Sequence, residues 1–337
     1  MAKTRITIVG CGFIGTAIAL ALRSAYKDAE IIGHDKNGAN TQRAEKMKAI
    51  DRSNWNLPSA CENAQLIVLA IPADAIEPTL QAIAPDLMPG AIVTDICSVK
   101  SPLISVVNKH MPAHATYISS DIVFNPARLP NTPTIESLNA EIFKGAAWTL
   151  TPIVASPDAV DGFAAIVSTI GAMPIFMDAV EHDGLRLAVD SVPAALSGAF
   201  MLAVTNDTAW RERLWLAGST FGAATTNVEM THAAEVASAL VAQPEAATHW
   251  LNQIMFQLIE IRDAVEQKQV EKLENLLKNA RERRENWSSE WYKGRDHGQT
   301  PSDVRRPSLL GMVIGDRLAA RMEQSPSTKD GDKKGKK

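Results

Sequence analysis

Only three cysteines, Cys11, Cys61 and Cys97, occur among 337 residues. So few, so scattered, cannot build a disulfide framework or a cysteine-based zinc site, which points to a reducing, cytoplasmic setting. Positive charge is not in surplus either: 34 Lys and Arg against 38 Asp and Glu leave −4 at pH 7. No overall positive field therefore exists to hold a nucleic acid or an anionic membrane. A long apolar run is also missing. The uncharged stretch 191–206, bounded by Asp190 and Asp207, falls short of the ~18 apolar residues of a membrane span and reads as a buried helix. Lys3 and Arg5 before an apolar run imitate a secretory leader, but glycines at 10, 12 and 15 argue otherwise. The seven histidines are dispersed, and Met111–Pro112 would break any helix pairing His110 with His114, so no metal site is expected.

What remains is ordinary for a folded chain, with 46% hydrophobic residues and a length that suits about two domains. The first half alternates β-rich runs (5–9, 30–35, 66–70, 91–95, 116–119, 147–150, 174–177) with helical stretches (14–24, 41–49, 75–83, 101–108, 158–170). That alternation predicts an α/β fold, a doubly wound parallel sheet covered on both faces, over residues 1–178. From 179 to 298 Ala, Leu, Glu and Arg recur at helical spacing, so an all-helical C-terminal domain should follow, with Pro193 kinking its first helix. Residues 270–287 set Leu273, Leu276, Leu277 and Ala280 on one face, an amphipathic helix that needs a partner surface. Residues 299–337 form an extension whose Lys/Asp/Gly-rich end, after about 324, cannot bury apolar area and should be disordered.

ITIVGCGFIGTAIALAL places G-x-G-x-x-G between a strand and a helix. Gly10 permits the tight turn, Gly12 lets backbone approach a pyrophosphate, and Gly15 lets helix and strand pack closely. Phe13 and Ile14, the motif's open positions, are counted with them. Asp35 follows Gly10 by 25 residues, where an acidic side chain accepts the adenosine ribose hydroxyls. Its charge favours NAD over NADP, while Lys36 and Arg43 nearby leave NADP open. Pro72, in LAIPADAI, stands where the chain leaves the sheet over the crevice in which such a cofactor lies.

GCGFIG, AQLIVLAIPADAI, PGAIVTDICSVK, FKGAAWTLTP and EHDGLRLA, in this order, resemble the prephenate and arogenate dehydrogenases of tyrosine biosynthesis. The likeness covers roughly residues 5–287, and its most specific parts beyond the glycines are D-x-x-S-V-K (Asp95 to Lys100) and His182–Asp183. It implies a Rossmann-type NAD(P)-binding domain, a helical dimerisation domain and oxidative decarboxylation of a cyclohexadienyl hydroxy acid. It also implies a homodimer, with Ser98 acting at the substrate hydroxyl and Lys100 and His182 as supporting polar groups, Lys100 on the cofactor side. β-Hydroxyacid dehydrogenases are a poorer match, because residues 179–210 hold no lysine.

Three substrate-side features depart from the family. YISSDIVFNP puts Asp121 where the family has a catalytic histidine. Asp190, Ser191, Val192 and Pro193 stand where the family has S-H-L-P, so that only the proline is kept, and STFGAATTNV keeps Phe221 without the family's arginine. Arg186, four residues beyond His182, is the nearest replacement cation. Either Asp121 serves as a carboxylate base, with burial raising its pKa, or the site takes a different hydroxy acid or binds dinucleotide without catalysis. S-V-K at a strand end is not a hydrolase elbow, so Ser98 is not read as a nucleophile.

Overall fold

The computed structural model describes residues 4–128, 134–206, 208–231 and 233–296. The expectations for the extension and tail lie outside these residues. In the first half the order is β1 (Arg5–Val9), α1 (Phe13–Ala25), β2 (Glu30–His34), α2 (Gly38–Lys46), β3 (Arg52–Ser53), α3 (Leu57–Cys61) and β4 (Leu66–Leu69). Then come α4 (Ile76–Ile83), β5 (Ile92–Asp95), α5 (Ser101–His110), β6 (Thr116–Val123), β7 (Ala147–Val154), α6 (Pro157–Thr169) and β8 (Met173–Phe176). These strands form one sheet in the order β3-β2-β1-β4-β5-β6-β7-β8. The order runs outward in opposite directions from β1 and β4, which opens a crevice at their carboxyl ends, the place where ligands of such sheets sit.

Each buried strand feeds both faces. Leu66 and Val68 of β4 join Ile6, Ile8 and Leu22 in one apolar cluster, and Ile67 and Leu69 join Ile76, Leu80 and Val93 in the other. Side chains on a strand alternate between faces, so four consecutive apolar residues signal a strand covered on both sides. One expectation needs correcting: β7 runs antiparallel to β6. A parallel return needs a crossover of a dozen or more residues, usually a helix. The β6–β7 connection has only short 3-10 turns at Pro126–Arg128 and Ile135–Ser137 among its described residues. β3 and α3, too short to show periodicity, were not anticipated.

Helices follow: α7 (Ala179–Arg186), α8 (Val192–Thr205), α9 (Trp210–Leu216), α10 (Ser219–Met230), α11 (Ala233–Ala242), α12 (Pro244–Glu266) and α13 (Val270–Asp296). A π-helical turn at Leu187–Ser191 joins α7 to α8. The disturbance expected at Pro193 takes this form: proline has no N–H to donate and crowds the carbonyl four residues back, and a wider turn relieves both.

Two further expectations fail. The helical stretch Ala179–Thr205 is 27 residues long and contains an 18-residue window of mean hydropathy 1.7, long and apolar enough to cross a membrane by length and composition. Nor is α8 a buried helix, since it buries only Val192, Ala194 and Ser197 while Leu202 is 70% exposed. The apolar cluster here is small, built on Leu187, Val192 and Ala247. Trp210 packs on Phe221 with ring centroids 5.8 Å apart, but Trp215 stands 88% exposed. On α13 Leu273 and Leu276 are half-buried and Leu277 is exposed.

Candidate active site

The chain leaves β1 through Gly10, whose φ of +92° lies in the region that favours glycine. A Cβ at Gly15 would stand 1.9 Å from the Gly10 carbonyl oxygen, so this residue is what lets α1 sit down on the turn. Gly12 differs: a Cβ there would meet nothing within 4 Å. It lines a cleft of about 650 Å³. Helix α1 begins without a side-chain cap and without an acidic residue in its first turn. Its first backbone N–H groups and the positive end of its dipole are thus left for an anion.

Asp35, one residue past β2, braces this loop. Its Oδ2 accepts from the Cys11 amide at 2.8 Å and from Asn40 Nδ2 at 3.1 Å, and its Oδ1 accepts from the Asn37 amide at 2.8 Å. Arg43, which had left a phosphorylated ribose open, is 3.3 Å from Glu136. Phe13, Ile14 and Gly15 line the cleft beside Gly12, and Pro72 lines it from the chain beyond β4. Ser98 and Asp121 line the same cleft.

Asp121 is on β6, which runs four residues beyond its expected end. Its Oδ2 is 3.3 Å from His182 Nε2 and 2.8 Å from Arg186 Nε, and its Oδ1 accepts from the Ile122 amide at 2.7 Å. Burial would raise its pKa, as expected from sequence. The His182 hydrogen bond and the charges of Arg186 and Lys100 outweigh burial and hold the carboxyl below the usual aspartate range.

Two supporting residues sit elsewhere than expected. His182 does not face the cleft: it is fully buried, bonded through Nδ1 to Asp183 Oδ1 at 3.0 Å as well as to Asp121. Burial works against its protonation, but the hydrogen bonds to Asp121 and Asp183 raise its pKa. Asp183 in turn accepts from the backbone amides of Lys100 and Ser101, at 2.7 and 2.8 Å, satisfying orphan donors at the start of α5. Lys100, expected on the cofactor side, turns inward instead. Its fully buried ammonium is 3.3 Å from Asp95 Oδ1 and donates to the carbonyls of Cys97 and Ser120. Asp95 also accepts from Tyr117 OH at 2.9 Å. A buried charge must be paired, and nothing in D-x-x-S-V-K alone says that its partners are already inside the protein.

Sequence reasoning missed that Asp190 and Ser191 line the cleft together with Arg186. Asp190 follows Arg186 by four residues, the ordinary helical spacing for one face, and the wider π turn adds Ser191, five residues beyond Arg186. The signal that could have found it was Pro193. From α11 Glu235 reaches the same cleft. Thiol chemistry is disfavoured: burial pushes Cys11, with Asp35 adding to the effect, and Cys61 up to about 12, and Cys97 higher still. Among the described residues no group of three or more His, Cys, Asp and Glu could hold a metal ion.

Comparison with known proteins agrees with this geometry. Over 197 residues the chain is 27% identical to prephenate dehydrogenase of Lactococcus lactis subsp. cremoris (strain MG1363), covering 57% of this chain and 52% of that one. Over 193 residues it is 26% identical to cyclohexadienyl dehydrogenase of Zymomonas mobilis, covering 57% and 64%. The matches thus span about half to two-thirds of the relatives' length. In fold it is similar to prephenate dehydrogenase from A. aeolicus in complex with hydroxyphenyl propionate and NAD+ (TM-score 0.72, 18% identity, 85% of this chain and 99% of that one). It is also similar to Synechocystis arogenate dehydrogenase (TM-score 0.66, 21% identity, 84% and 100%). Residues 18–175 match the family model of the prephenate dehydrogenase nucleotide-binding domain.

Proposed function

We propose that this protein is an NAD-dependent dehydrogenase that oxidises a hydroxyl group on a small carboxylated ring, with loss of carbon dioxide where the product becomes aromatic. The observation that carries this is the open face of Gly12 at the uncapped start of α1, set in the crevice between β1 and β4. Those amides suit a diphosphate, and Asp35 beside them suits an unphosphorylated ribose. The cofactor supplies the hydride acceptor. Ser98 and Asp121 would act at the substrate hydroxyl, with His182 holding Asp121 in place from behind. A carboxylate of lowered pKa is a poor base for a free alcohol. It can still orient the hydroxyl by accepting its hydrogen bond. Once hydride leaves the carbon, the oxygen is that of a protonated ketone, acidic enough to surrender its proton even to this carboxylate. The same direction of shift favours, as a second reading, a hydroxy acid other than prephenate or arogenate.

The test is absorbance at the reduced-nicotinamide band with NAD and NADP, each against prephenate and arogenate. Asp121→Ala is expected to lower turnover at least a hundredfold, about 2.7 kcal/mol of transition-state stabilisation, with NAD affinity unchanged. Tight NAD binding without turnover of either compound would sink the prephenate and arogenate reading.

The same reading divides the chain at 178, takes 179–298 as a helical substrate and dimerisation domain, and places the protein in the cytoplasm as a homodimer. The three cysteines are free and buried, as a reducing compartment allows. Leu202, Trp215, Leu216, Val241 and Phe256 are exposed apolar side chains on the helices after the π turn, more than a small isolated domain usually leaves to water. A second copy of the chain, itself short of a helical core, is the occupant that such faces suit. Sedimentation at micromolar concentration should give about twice the chain mass of 36.4 kDa; a monomer at that concentration would remove the dimer.

A further inference from the structure

The doubly wound half keeps its large apolar side chains inside, with one exception. Among the described residues before Met173, Trp55 is the one large hydrophobic side chain left exposed, at 88%. Its backbone is pinned on both sides. The Asn54 amide donates to the Gly33 carbonyl at 2.9 Å, and the Asn54 carbonyl is 2.9 Å from His34 Nδ1. Asn54 Oδ1 accepts from the Asn56 amide at 3.0 Å, Asn54 Nδ2 donates to Ser59 Oγ at 3.0 Å, and Asn56 Oδ1 caps α3 by accepting from the Ser59 amide at 2.9 Å. A tryptophan whose main chain is fixed in this way offers a large flat apolar face that loses little further freedom when a ligand covers it.

Its place in the sheet points to the ligand. β3 pairs with β2 through Ile32–Arg52 and Gly33–Ser53, so Trp55 and Asp35 leave adjacent strands two residues past the same pair, at the carboxyl edge. Asp35 is bonded in turn to the Cys11 amide of the glycine turn. Ser98 and Asp121 belong to the other half of the sheet, just beyond β5 and on β6. A dinucleotide with its diphosphate at the start of α1 and its reactive ring toward those two residues must send its adenosine the other way, toward β2 and β3. We infer that Trp55 binds the adenine of the cofactor, with its indole stacked on the base beside the ribose that Asp35 accepts. This rests on the dehydrogenase reading for the cofactor, and it goes further by assigning a residue to the base. Stacking needs only a flat aromatic face, and removing one such face weakens binding of a base roughly tenfold.

The experiment is calorimetry on the full chain with NAD and with ADP-ribose, which carries the adenosine half of the cofactor and no nicotinamide. Trp55→Ala is expected to weaken both ligands by the same factor, about tenfold, while unfolding in denaturant and sedimentation match wild type. Trp55→Phe keeps an aromatic face and should stay within about threefold of wild type for both. ADP-ribose should also quench the tryptophan emission of wild type, and Trp55→Phe should lose that change although the other six of the seven tryptophans remain. Unchanged ADP-ribose affinity in Trp55→Ala, a loss confined to NAD, or a Trp55→Phe as weak as Trp55→Ala would each overturn the inference. So would an altered sedimentation of Trp55→Ala, which would make the indole a contact between copies of the chain. If wild type bound neither NAD nor ADP-ribose, the dehydrogenase reading would fall first and take the inference with it. Wild-type NAD binding that Trp55→Ala leaves intact would sink the inference alone.

Discussion

Gly15→Ala is expected to destabilise the protein by about 3 to 5 kcal/mol, the range reserved for substitutions that nothing nearby can absorb. The new Cβ would lie 1.9 Å from the Gly10 carbonyl oxygen and 3.1 Å from the Ala70 side chain. The first clash is with backbone, not with the end of a flexible side chain. Relieving it means lifting α1 away from β1, where Ile18 and Leu22 are buried in the main apolar cluster. Gly12→Ala should behave in the opposite way. Its Cβ meets nothing within 4 Å and its φ of −71° suits any residue, so stability should stay within ~0.5 kcal/mol of wild type. That Cβ would nonetheless project where a diphosphate must approach the helix start, and NAD affinity should fall at least tenfold. Denaturant unfolding and calorimetry on the two variants separate the roles. If Gly15→Ala unfolds with wild type, or Gly12→Ala binds NAD as wild type does, the reading of this loop is wrong.

The second large effect is expected at Asp183, whose carboxylate accepts from His182 and from the amides of Lys100 and Ser101. Asp183→Ala would strand two helix amides and leave His182 with Asp121 alone. Removing one partner of a buried ionic cluster costs about 3 to 5 kcal/mol. A dependence on pH distinguishes this account from simple loss of packing. The pKa of His182 is raised in the folded protein, so its contribution is complete below the unfolded value near ~6.5 and is lost as pH rises through the folded value. Asp121 and Asp183 are lowered, so theirs is present above the unfolded value near ~3.9 and is lost as pH falls through the folded values. Wild-type stability should therefore be greatest between those limits and decline on the alkaline side as His182 deprotonates. In Asp183→Ala that alkaline decline should be smaller. An unchanged slope would show that the imidazole and the carboxylate are not coupled.

The cofactor side was legible because its physics is local. Gly10, Gly12 and Gly15 lie within six residues, and a turn, an approach and a close packing each need glycine for a reason that no distant residue alters. Runs such as LIVL over 66–69 likewise announce a strand buried on both faces, and seven of the eight strands were anticipated within a few residues at each end. The substrate side was less so. Asp121 could be named from its position in YISSDIVFNP, but not the direction of its pKa. That direction depends on Arg186 and on His182, which lies 61 residues further along the chain. Lys100 was named too, and its inward turn became visible only once Ser120 and Asp95 were placed around it.

The amino-acid sequence alone therefore determined the doubly wound front of the molecule and the cradle at the start of α1, because short-range sterics and strand periodicity suffice for both. Tertiary structure decided which charges meet. It reversed β7 for want of a helical crossover, placed Asp183 over the start of α5 across 83 residues of chain, and turned Arg186, Asp190 and Ser191 into one cleft through a π turn. Electrostatic interactions depend on distance and burial rather than on order along the chain. The character of the substrate wall exists only in the folded protein.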